Sequence, residues 1–377
     1  MMPRIMIMAG GTGGHVFPAL AVAEELRSRG VEVVWLGTPD GLEAELVPRA
    51  GFAIEWISIG GLRGKGVASW LLAPLRLLRA LWQAWRVLQR RRPGAVLGMG
   101  GFASGPGGLV TWLQRRPLLI HEQNAIAGLT NRVLSRLATV RLQAFPGALP
   151  EHLRPVVCGN PVRPEIAALP GPQQRLAARQ GPLRLLVLGG SLGARALNLL
   201  VPQAVGCLPR GVMLDIRHQT GKRHLDETRT AYTQAAVTAE IMPFIDDMAE
   251  AYGWADLVVC RAGALTIEEL AASGSAAILV PFPHAVDDHQ TRNGSYLSQA
   301  GAAVLIQQQA LTAQRLADEI ACLGQSPALS AAAGDGMALC DRIRVRCLQM
   351  ALQARRLAHP DATARVADFC MEAVHHG

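Results

Sequence analysis

The chain has 377 residues, enough for two or three domains; half are hydrophobic and 18% are charged, which excludes intrinsic disorder. Its 39 glycines and 23 prolines follow no period, which excludes collagen-like and repeat architectures. The net charge of +8 is local: from Trp56 to His121 there is no Asp or Glu, while Arg63, Lys65, Arg76, Arg79, Arg86, Arg90, Arg91, Arg92, Arg115 and Arg116 crowd the same window. A patch of this kind points to an anionic partner, whether lipid headgroups, nucleic acid or a phosphorylated substrate.

The predicted elements begin with a short apolar strand over residues 5–9, ended by Gly10-Gly11-Thr12-Gly13-Gly14. Residues 18–29 then carry apolar side chains at helical spacing, Gly30 stops them, and residues 31–36 form a second strand, completing a βαβ unit. Residues 96–97 and 118–120 are further buried strands, each entering a glycine-rich or polar loop. The pattern restarts at residues 184–188, which end in Gly189-Gly190-Ser191-Leu192-Gly193 and lead into a helix from Ala194. Strands are expected at 213–217, 239–242, 257–260 and 277–280. The stretch from Gly159 to Pro164, followed by residues 169–182, is the best linker, and residues 342–376 are helical by pattern. The expectation is two α/β domains, each with a parallel sheet wrapped by helices.

Seven cysteines with no CxxC pair, and no His/Cys spacing suited to zinc, point to reduced thiols in a cytoplasmic protein without a metal site. Cys340 and Cys347 share a helix face and read as packing. The first residues run straight into a strand, and no run of about 18 uncharged apolar residues occurs, so neither a signal peptide nor a membrane-spanning helix is expected.

Gly10–Gly14 and Gly189–Gly193 each follow a strand and open a helix, as does a third loop, Gly98-Met99-Gly100-Gly101-Phe102-Ala103-Ser104-Gly105-Pro106-Gly107-Gly108. Glycine lets backbone N–H groups converge, and a helix N-terminus adds about half a positive charge, so such loops bind phosphate without a charged side chain. A dinucleotide site fits poorly: Val16 stands where GxGxxG needs its last glycine, and Trp35-Leu36-Gly37-Thr38 holds no acidic residue at the second strand's end. Neither Lys65 nor Lys222 follows glycines in a Walker A arrangement. Phosphate binding in both halves suggests a transferase with a phosphorylated donor and a phosphorylated acceptor.

At these loops the sequence resembles the MurG family, which adds N-acetylglucosamine to lipid I to make lipid II for peptidoglycan. The matching blocks run nearly end to end: Gly10-Gly11-Thr12-Gly13-Gly14-His15-Val16-Phe17-Pro18-Ala19, Gly61-Leu62-Arg63-Gly64-Lys65, Gly100-Gly101-Phe102-Ala103-Ser104-Gly105-Pro106, His121-Glu122-Gln123-Asn124 with Asn131, Gly159-Asn160-Pro161-Val162-Arg163, Gly189-Gly190-Ser191-Leu192-Gly193-Ala194, Arg261-Ala262-Gly263-Ala264-Leu265-Thr266-Ile267-Glu268-Glu269, and Asp287-Asp288-His289-Gln290 with Asn293. The resemblance implies an α/β fold of GT-B type, two Rossmann-like domains with parallel sheets facing a central cleft. By this reading residues 1–163 form the acceptor and membrane-associating domain and 164–341 the donor domain. Residues 342–377 form a helical segment crossing back to the first.

The donor implied is UDP-N-acetylglucosamine (UDP-GlcNAc) and the acceptor is lipid I. By resemblance, Ser191 and its loop face the diphosphate, Ile245 meets the uracil through its backbone, and Ala264, Leu265, Thr266, Ile267, Glu268 and Glu269 line the nucleotide-sugar. Glu269 suits the ribose diol, because a carboxylate accepts two hydroxyl hydrogen bonds, with Glu268 the alternative. Gln290 would read the sugar, with His289 its alternative, and Arg163 would help from the hinge. Thr12, Gly13, Gly14 and Asn124 also match donor-contacting positions, and the N-terminal loops would cradle the lipid diphosphate. No cofactor is implied. Other cell-wall enzymes and an anionic membrane surface are implied as partners, nucleic acid is not, and the location implied is peripheral, on the cytoplasmic face of the bacterial cell membrane.

One displacement by the acceptor hydroxyl inverts the anomeric carbon, so UDP departure must be stabilised and a base must take the proton. The helix after Gly193, with Arg163, is positioned for the first task. His15, at the tip of the first loop, is the candidate base, since imidazole has a reference pKa of about 6.5; His121 and Glu122 are rivals. Helix-wheel spacing separates Leu75, Leu77, Leu78, Leu81, Trp82, Trp85 and Leu88 from Arg76, Arg79, Arg86 and Arg90, which describes an interfacial helix or a helix packing its apolar face on the core. Trp70, Leu71 and Leu72 add apolar groups before Pro74. The rival functions are another GT-B lipid glycosyltransferase, an NAD-dependent oxidoreductase, and a non-catalytic basic protein binding a membrane. Residues 331–347 exceed the family pattern, with Gly334-Asp335-Gly336 as a helix break.

Overall fold

The computed structural model describes residues 3–60, 72–190, 193–325 and 337–376. Ser191, the Gly61–Lys65 block, Trp70, Leu71 and Gly334-Asp335-Gly336 lie outside them. The elements, in chain order, are β1 (Arg4–Met8), α1 (Gly13–Ser28), β2 (Glu32–Gly37), α2 (Glu43–Arg49), β3 (Ala53–Trp56), α3 (Ala73–Arg91), β4 (Ala95–Gly98), α4 (Ser104–Leu113), β5 (Leu118–Glu122), α5 (Leu129–Leu134), β6 (Val140–Gln143) and β7 (Val156–Val157). They continue with α6 (Pro164–Ala167), α7 (Pro172–Leu176), β8 (Leu183–Leu188), α8 (Arg195–Gly206), β9 (Leu214–Gln219), α9 (Leu225–Gln234), β10 (Glu240–Met242), α10 (Met248–Trp254), β11 (Leu257–Cys260) and α11 (Ala264–Ser273). The last are β12 (Ala276–Leu279), α12 (His289–Gln299), β13 (Ala303–Leu305), α13 (Ala313–Cys322), α14 (Leu339–Arg356) and α15 (Ala362–His376).

The chain divides into two compact units, Met1–Arg163 with His359–Gly377, and Pro164–Ala358. The C-terminal helical stretch is therefore two helices: α14 belongs to the second unit and α15 to the first. In the first unit the sheet order is β3-β2-β1-β4-β5-β6-β7, and every pairing is parallel. Successive residues of a strand face opposite sides, so both sheet faces must be covered. Ile5, Ile7, Trp35 and Leu97 pack with Val366 and Cys370 of α15 on one face; Met6, Met8, Leu36 and Val96 pack with Ala84, Val87 and Leu88 of α3 on the other.

In the second unit the order is β10-β9-β8-β11-β12-β13, again all parallel. Leu185, Val187, Val259 and Ile278 pack with Leu197 and Val201 of α8 and with Ile343, Cys347 and Met350 of α14. Cys347 is thus core, as its spacing suggested.

Residues 169–182, read from sequence as linker, are an ordered part of this unit. Arg175 donates to the carbonyls of Tyr252 and Gly274, and Arg179 to those of Trp254 and Ala255 and to the buried Asp256 carboxylate at 2.6 Å. Carbonyls at helix C-termini lack intrahelical donors, and guanidinium groups supply them. Burial pulls the Arg175 pKa down to about 10, short of losing its charge at neutrality.

Strands β3, β6, β7 and β13 have no counterpart in the sequence reading. They are short and lie toward the sheet margins, and in β3 and β6 polar residues interrupt the apolar run that marks buried parallel strands.

Candidate active site

Both sheets follow the doubly wound order in which the chain leaves the first strand in opposite directions, and ligands of such sheets bind beyond the strands' carboxyl ends at that reversal. In the first unit the reversal lies between β1 and β4, and in the second between β8 and β11. The glycine loops stand at these places because each follows one of these strands directly.

In the first unit, α1 begins at Gly13 and not at Pro18, as the sequence had suggested; Pro18 sits inside the helix. Gly13, Gly14 and His15 are therefore its opening residues, whose N–H groups have no intrahelical acceptor four residues back. Thr12 is the N-cap by backbone alone: its carbonyl accepts from His15 N and Val16 N, and its exposed side chain makes no cap hydrogen bond. The third glycine loop lies against the first. Gly101, at φ +88°, would place a Cβ 2.5 Å from the Gly10 carbonyl, and Ser104 donates from Oγ to Met8 O at 3.0 Å and Gly100 O at 2.7 Å.

Sequence reasoning missed Glu43. Its carboxylate is fully buried, accepts from Gly11 N at 2.9 Å through Oε2, and accepts from Thr38 N and Oγ1 at 3.0 and 2.7 Å through Oε1. The Gly11 amide is thus occupied by a protein carboxylate. No local signal marked Glu43, since it resembles the other acidic residues of an amphipathic helix start.

His15 is half-buried and its Nδ1 lies 3.1 Å from Gln123 Oε1. Gln123 in turn donates from Nε2 to Met99 O at 2.9 Å, and Asn160 Nδ2 donates to the Gln123 carbonyl at 2.9 Å. The two rival bases are otherwise engaged. His121 is buried, its Nε2 lies 2.9 Å from Gly159 O, and burial lowers its pKa to about 4. Glu122 is buried and accepts from Asn124 N, Gly128 N and Asn131 Nδ2 at 2.9, 3.2 and 2.9 Å, holding the loop that carries Asn124.

In the second unit, the loop after β8 is pressed onto the end of β9: a Cβ on Gly189 would lie 2.8 Å from Gln219 O, and one on Gly193 2.5 Å from Thr220 O. A buried chain supports it. Asn198 of α8 donates to Thr220 O at 2.9 Å, its Oδ1 lies 3.0 Å from His218 Nε2, and His218 Nδ1 lies 2.9 Å from the Tyr232 hydroxyl. Burial lowers the His218 pKa to about 3 and raises that of Tyr232, so both are neutral.

Ile245 is buried beside the exposed Phe244. Helix α11 opens at Ala264 behind Gly263, which offers no side-chain cap, so the amides of Ala264, Leu265 and Thr266 begin the helix; Ile267 N bonds Gly263 O at 2.9 Å. Glu268 and Glu269 are both buried, at 2% and 6% exposure, so neither is a solvated surface residue of the helix. Glu269 Oε2 accepts from the buried Tyr252 hydroxyl at 3.1 Å. Gln290 Oε1 accepts from Phe282 N at 2.9 Å, so its amide NH₂ is the part that remains to meet a ligand. Asp287 and Asp288, just before it, adopt φ of 53° and 52°, a strained pair of the kind found at functional sites. Arg163 is the last residue of the first unit and is half-buried.

Residues 5–142 match the glycosyltransferase family 28 N-terminal domain, and residues 184–335 match the family's C-terminal domain. The chain is 53% identical to the UDP-N-acetylglucosamine--N-acetylmuramyl-(pentapeptide) pyrophosphoryl-undecaprenol N-acetylglucosamine transferase of Marinobacter nauticus, over 99% of this chain and 98% of that one. It is 56% identical to the transferase of the same name from Nitrosococcus oceani, over 98% of each. The crystal structure of Acinetobacter baumannii MurG superposes with a TM-score of 0.81 at 40% identity, covering 98% of this chain and 99% of that one. The chain belongs to the MurG family.

More distant glycosyltransferases share only the fold. The calicheamicin glycosyltransferase, at 17% identity, superposes with a TM-score of 0.66 over 100% of this chain and 99% of its own. The GT-B architecture of two Rossmann-like domains is therefore common to chains whose sequences differ widely. Among the MurG-family blocks read from the sequence, the first and third glycine loops and the His121–Asn124 segment come together in the first unit. In the second, Gly263–Glu269 and the loop after β8 follow strands that pair side by side.

Proposed function

We propose that this chain is an inverting glycosyltransferase. It moves N-acetylglucosamine from UDP-GlcNAc to the 4-hydroxyl of the N-acetylmuramyl unit of undecaprenyl-pyrophosphoryl-MurNAc-pentapeptide (lipid I), giving lipid II. The observation that carries this is the end-to-end identity, through both units, with transferases of that name. In this reading the second unit takes the donor. The N-termini of α8 and α11 present backbone amides to the diphosphate and the sugar, and the positive end of each helix stabilises charge that develops as UDP leaves. Glu269, held by Tyr252, accepts from the ribose, Ile245 meets the uracil and Gln290 donates to the sugar. Ser191 and Arg163 are further diphosphate contacts, and Thr12, Gly13, Gly14 and Asn124 are further donor-contacting residues.

The acceptor is taken by the first unit. With Gly11 N occupied by Glu43, the amides opening α1 and α4 are the ones offered to the lipid diphosphate. His15 takes the proton from the attacking hydroxyl.

The first unit also docks on an anionic lipid surface at the cytoplasmic face of the membrane. Helix α3 has two apolar stripes on opposite sides. Ala80, Ala84, Val87 and Leu88 face the core, while Leu75, Leu78, Trp82 and Trp85 are 64%, 62%, 58% and 43% exposed. Arg76, Arg79 and Arg86 are exposed along the same stretch, and the Arg86 guanidinium lies over the Trp82 ring at 4.9 Å. Among the described residues no helix is long and apolar enough to cross a membrane.

The test is to incubate the purified protein with UDP-GlcNAc and a lipid I analogue. UDP release that requires both, with a β-linked product, is expected; release indifferent to the acceptor, or retention of the α configuration, overturns the reading.

A further inference from the structure

We propose that Gln123 is a positioning residue that fixes the tautomer of His15, keeping the proton on Nδ1 and the lone pair on Nε2. This rests on the reading of His15 as the base.

The argument starts at Met99. Its carbonyl can only accept, so the Gln123 amide must present Nε2 to it, and the 2.9 Å separation is that of a normal hydrogen bond. Oε1 is then turned toward His15 Nδ1, 3.1 Å away, and it too can only accept. A neutral imidazole satisfies this contact in one tautomer alone, with hydrogen on Nδ1. The other tautomer sets two lone pairs against each other. Turning the Gln123 amide over relieves that clash only by setting Oε1 against Met99 O.

The frame around the amide is rigid. Met99 N bonds Met8 O at 2.8 Å, which ties the Met99 peptide to β1. Asn160 holds the Gln123 carbonyl, and the Gln123 side chain is 1% exposed. Gly100, at φ +93°, lets the ring lie against the loop: a Cβ there would be 2.7 Å from Nδ1. His121, the titratable neighbour whose charge couples to His15, is neutral at physiological pH and adds no competing charge.

The consequence for the reaction is directional. As the acceptor O4 forms its bond to the anomeric carbon, the bond from that carbon to the UDP oxygen breaks and its electron pair leaves with UDP. The O4 proton moves to Nε2, the nitrogen bearing the lone pair. The imidazolium so formed keeps its Nδ1–H on Gln123 Oε1, and its extra proton later passes to solvent.

The test is a nitrogen-15 histidine-labelled sample of the whole protein, read by two-bond proton–nitrogen correlations, with His15 assigned by its loss in His15→Ala. The wild type should show His15 as the Nδ1–H tautomer. Gln123→Met should show a mixture and a kcat lower by about 10- to 100-fold with both KM values unchanged, a part of the roughly 10²–10⁴-fold that a general base contributes. Gln123→Glu, which as a neutral acid in this buried site keeps an O–H donor toward Met99 O and an acceptor toward Nδ1, should restore the Nδ1–H signal and most of the turnover. A wild type resting as Nε2–H overturns the proposal without reference to activity. So does a Gln123→Met protein that turns over normally while His15→Ala does not. If His15→Ala itself keeps full kcat, the base reading has failed, and the spectrum still decides the tautomer.

Discussion

The buried carboxylate of Glu43 and the backbone amide of Gly11 meet at 2.9 Å in a contact that ties the start of α2 to the first glycine loop. Thr38 gives the same carboxylate two more hydrogen bonds, so one side chain sets the shape of a loop whose own residues contribute almost no side chains. Hydrogen bonds to a charged acceptor are worth about 1.5–3 kcal/mol each, and the two Thr38 donors left behind would be buried. Glu43→Ala should therefore lower the unfolding free energy of the first unit by about 3 kcal/mol, read by urea denaturation. It should also depress kcat/KM for the acceptor more than for the donor. Equal stability in the two proteins would show that Glu43 does not hold the loop.

Two glycines next to one another should behave differently when given a side chain. At Gly100 a Cβ meets the movable ring of His15, whereas at Gly101 it meets the Gly10 backbone at 2.5 Å, which cannot step aside without moving β1. Both positions have positive φ, costing about 1 kcal/mol or more for alanine. Gly101→Ala should lose thermal stability by several degrees, while Gly100→Ala should stay folded and lose turnover. A melting-temperature series on the two variants checks this, and a reversed order contradicts the packing described.

Stability should fall as the medium is acidified below neutrality, through buried imidazoles. His121 and His218 have folded pKa values depressed by burial to about 4 and about 3, below the unfolded value of about 6.5. Between these values the unfolded state binds protons that the folded state refuses, so the stability contribution is present above pH 6.5 and is lost as pH falls toward 4 and below. By linkage each accounts for roughly 3–5 kcal/mol over that window, His121 in the first unit and His218 in the second. Urea titrations from pH 7.5 to 4.5 should show this slope, and His121→Gln should flatten it for the first unit. A slope unchanged in that variant would assign the acid sensitivity elsewhere.

The outward stripe of α3 should bind anionic vesicles through both of its components. Replacing Trp82 and Trp85 by Ser removes the apolar insertion, while Arg76, Arg79 and Arg86→Glu replaces attraction by repulsion at about 1 kcal/mol per charge near the surface. Flotation with anionic vesicles should fail in both variants, and wild-type binding should weaken with salt. Turnover of a short-chain, water-soluble acceptor should survive in both, because neither change touches the core stripe of Ala80, Ala84, Val87 and Leu88. Flotation indifferent to all of these changes would remove the membrane assignment.

Donor recognition offers a comparison of neighbours. Glu268 and Glu269 are both buried on α11, and Glu269 shares a hydrogen bond with Tyr252. If Glu269 meets the ribose, Glu269→Gln should raise KM for UDP-GlcNAc about tenfold, the equivalent of one charge-assisted hydrogen bond. Glu268→Gln should shift that KM less. The opposite ranking would move the ribose contact to Glu268.

Much of this protein was written along the chain. The strands at residues 5–9, 31–36, 184–188 and 257–260 are legible because a parallel strand buried on both faces must be an unbroken apolar run. The glycine loops are legible because the turn from strand to helix presses Gly10, Gly101, Gly189 and Gly193 against neighbouring chain, leaving no room for a Cβ. What the sequence could not decide is which polar atoms meet across long separations. Glu43 and Gly11, Gln123 and Met99, and Asn198 and Thr220 come together only when parallel strands bring their carboxyl ends into line. The facing of α3 was likewise undecided, since leucine and tryptophan at helical spacing fit a core as well as a lipid surface. The sheet resolves it by taking Ala80, Ala84, Val87 and Leu88 into the packed layer and leaving Leu75, Leu78, Trp82 and Trp85 outside. Local periodicity fixes what each segment becomes, but hydrogen-bond partners and exposed faces depend on through-space distances that exist only after the sheets have closed.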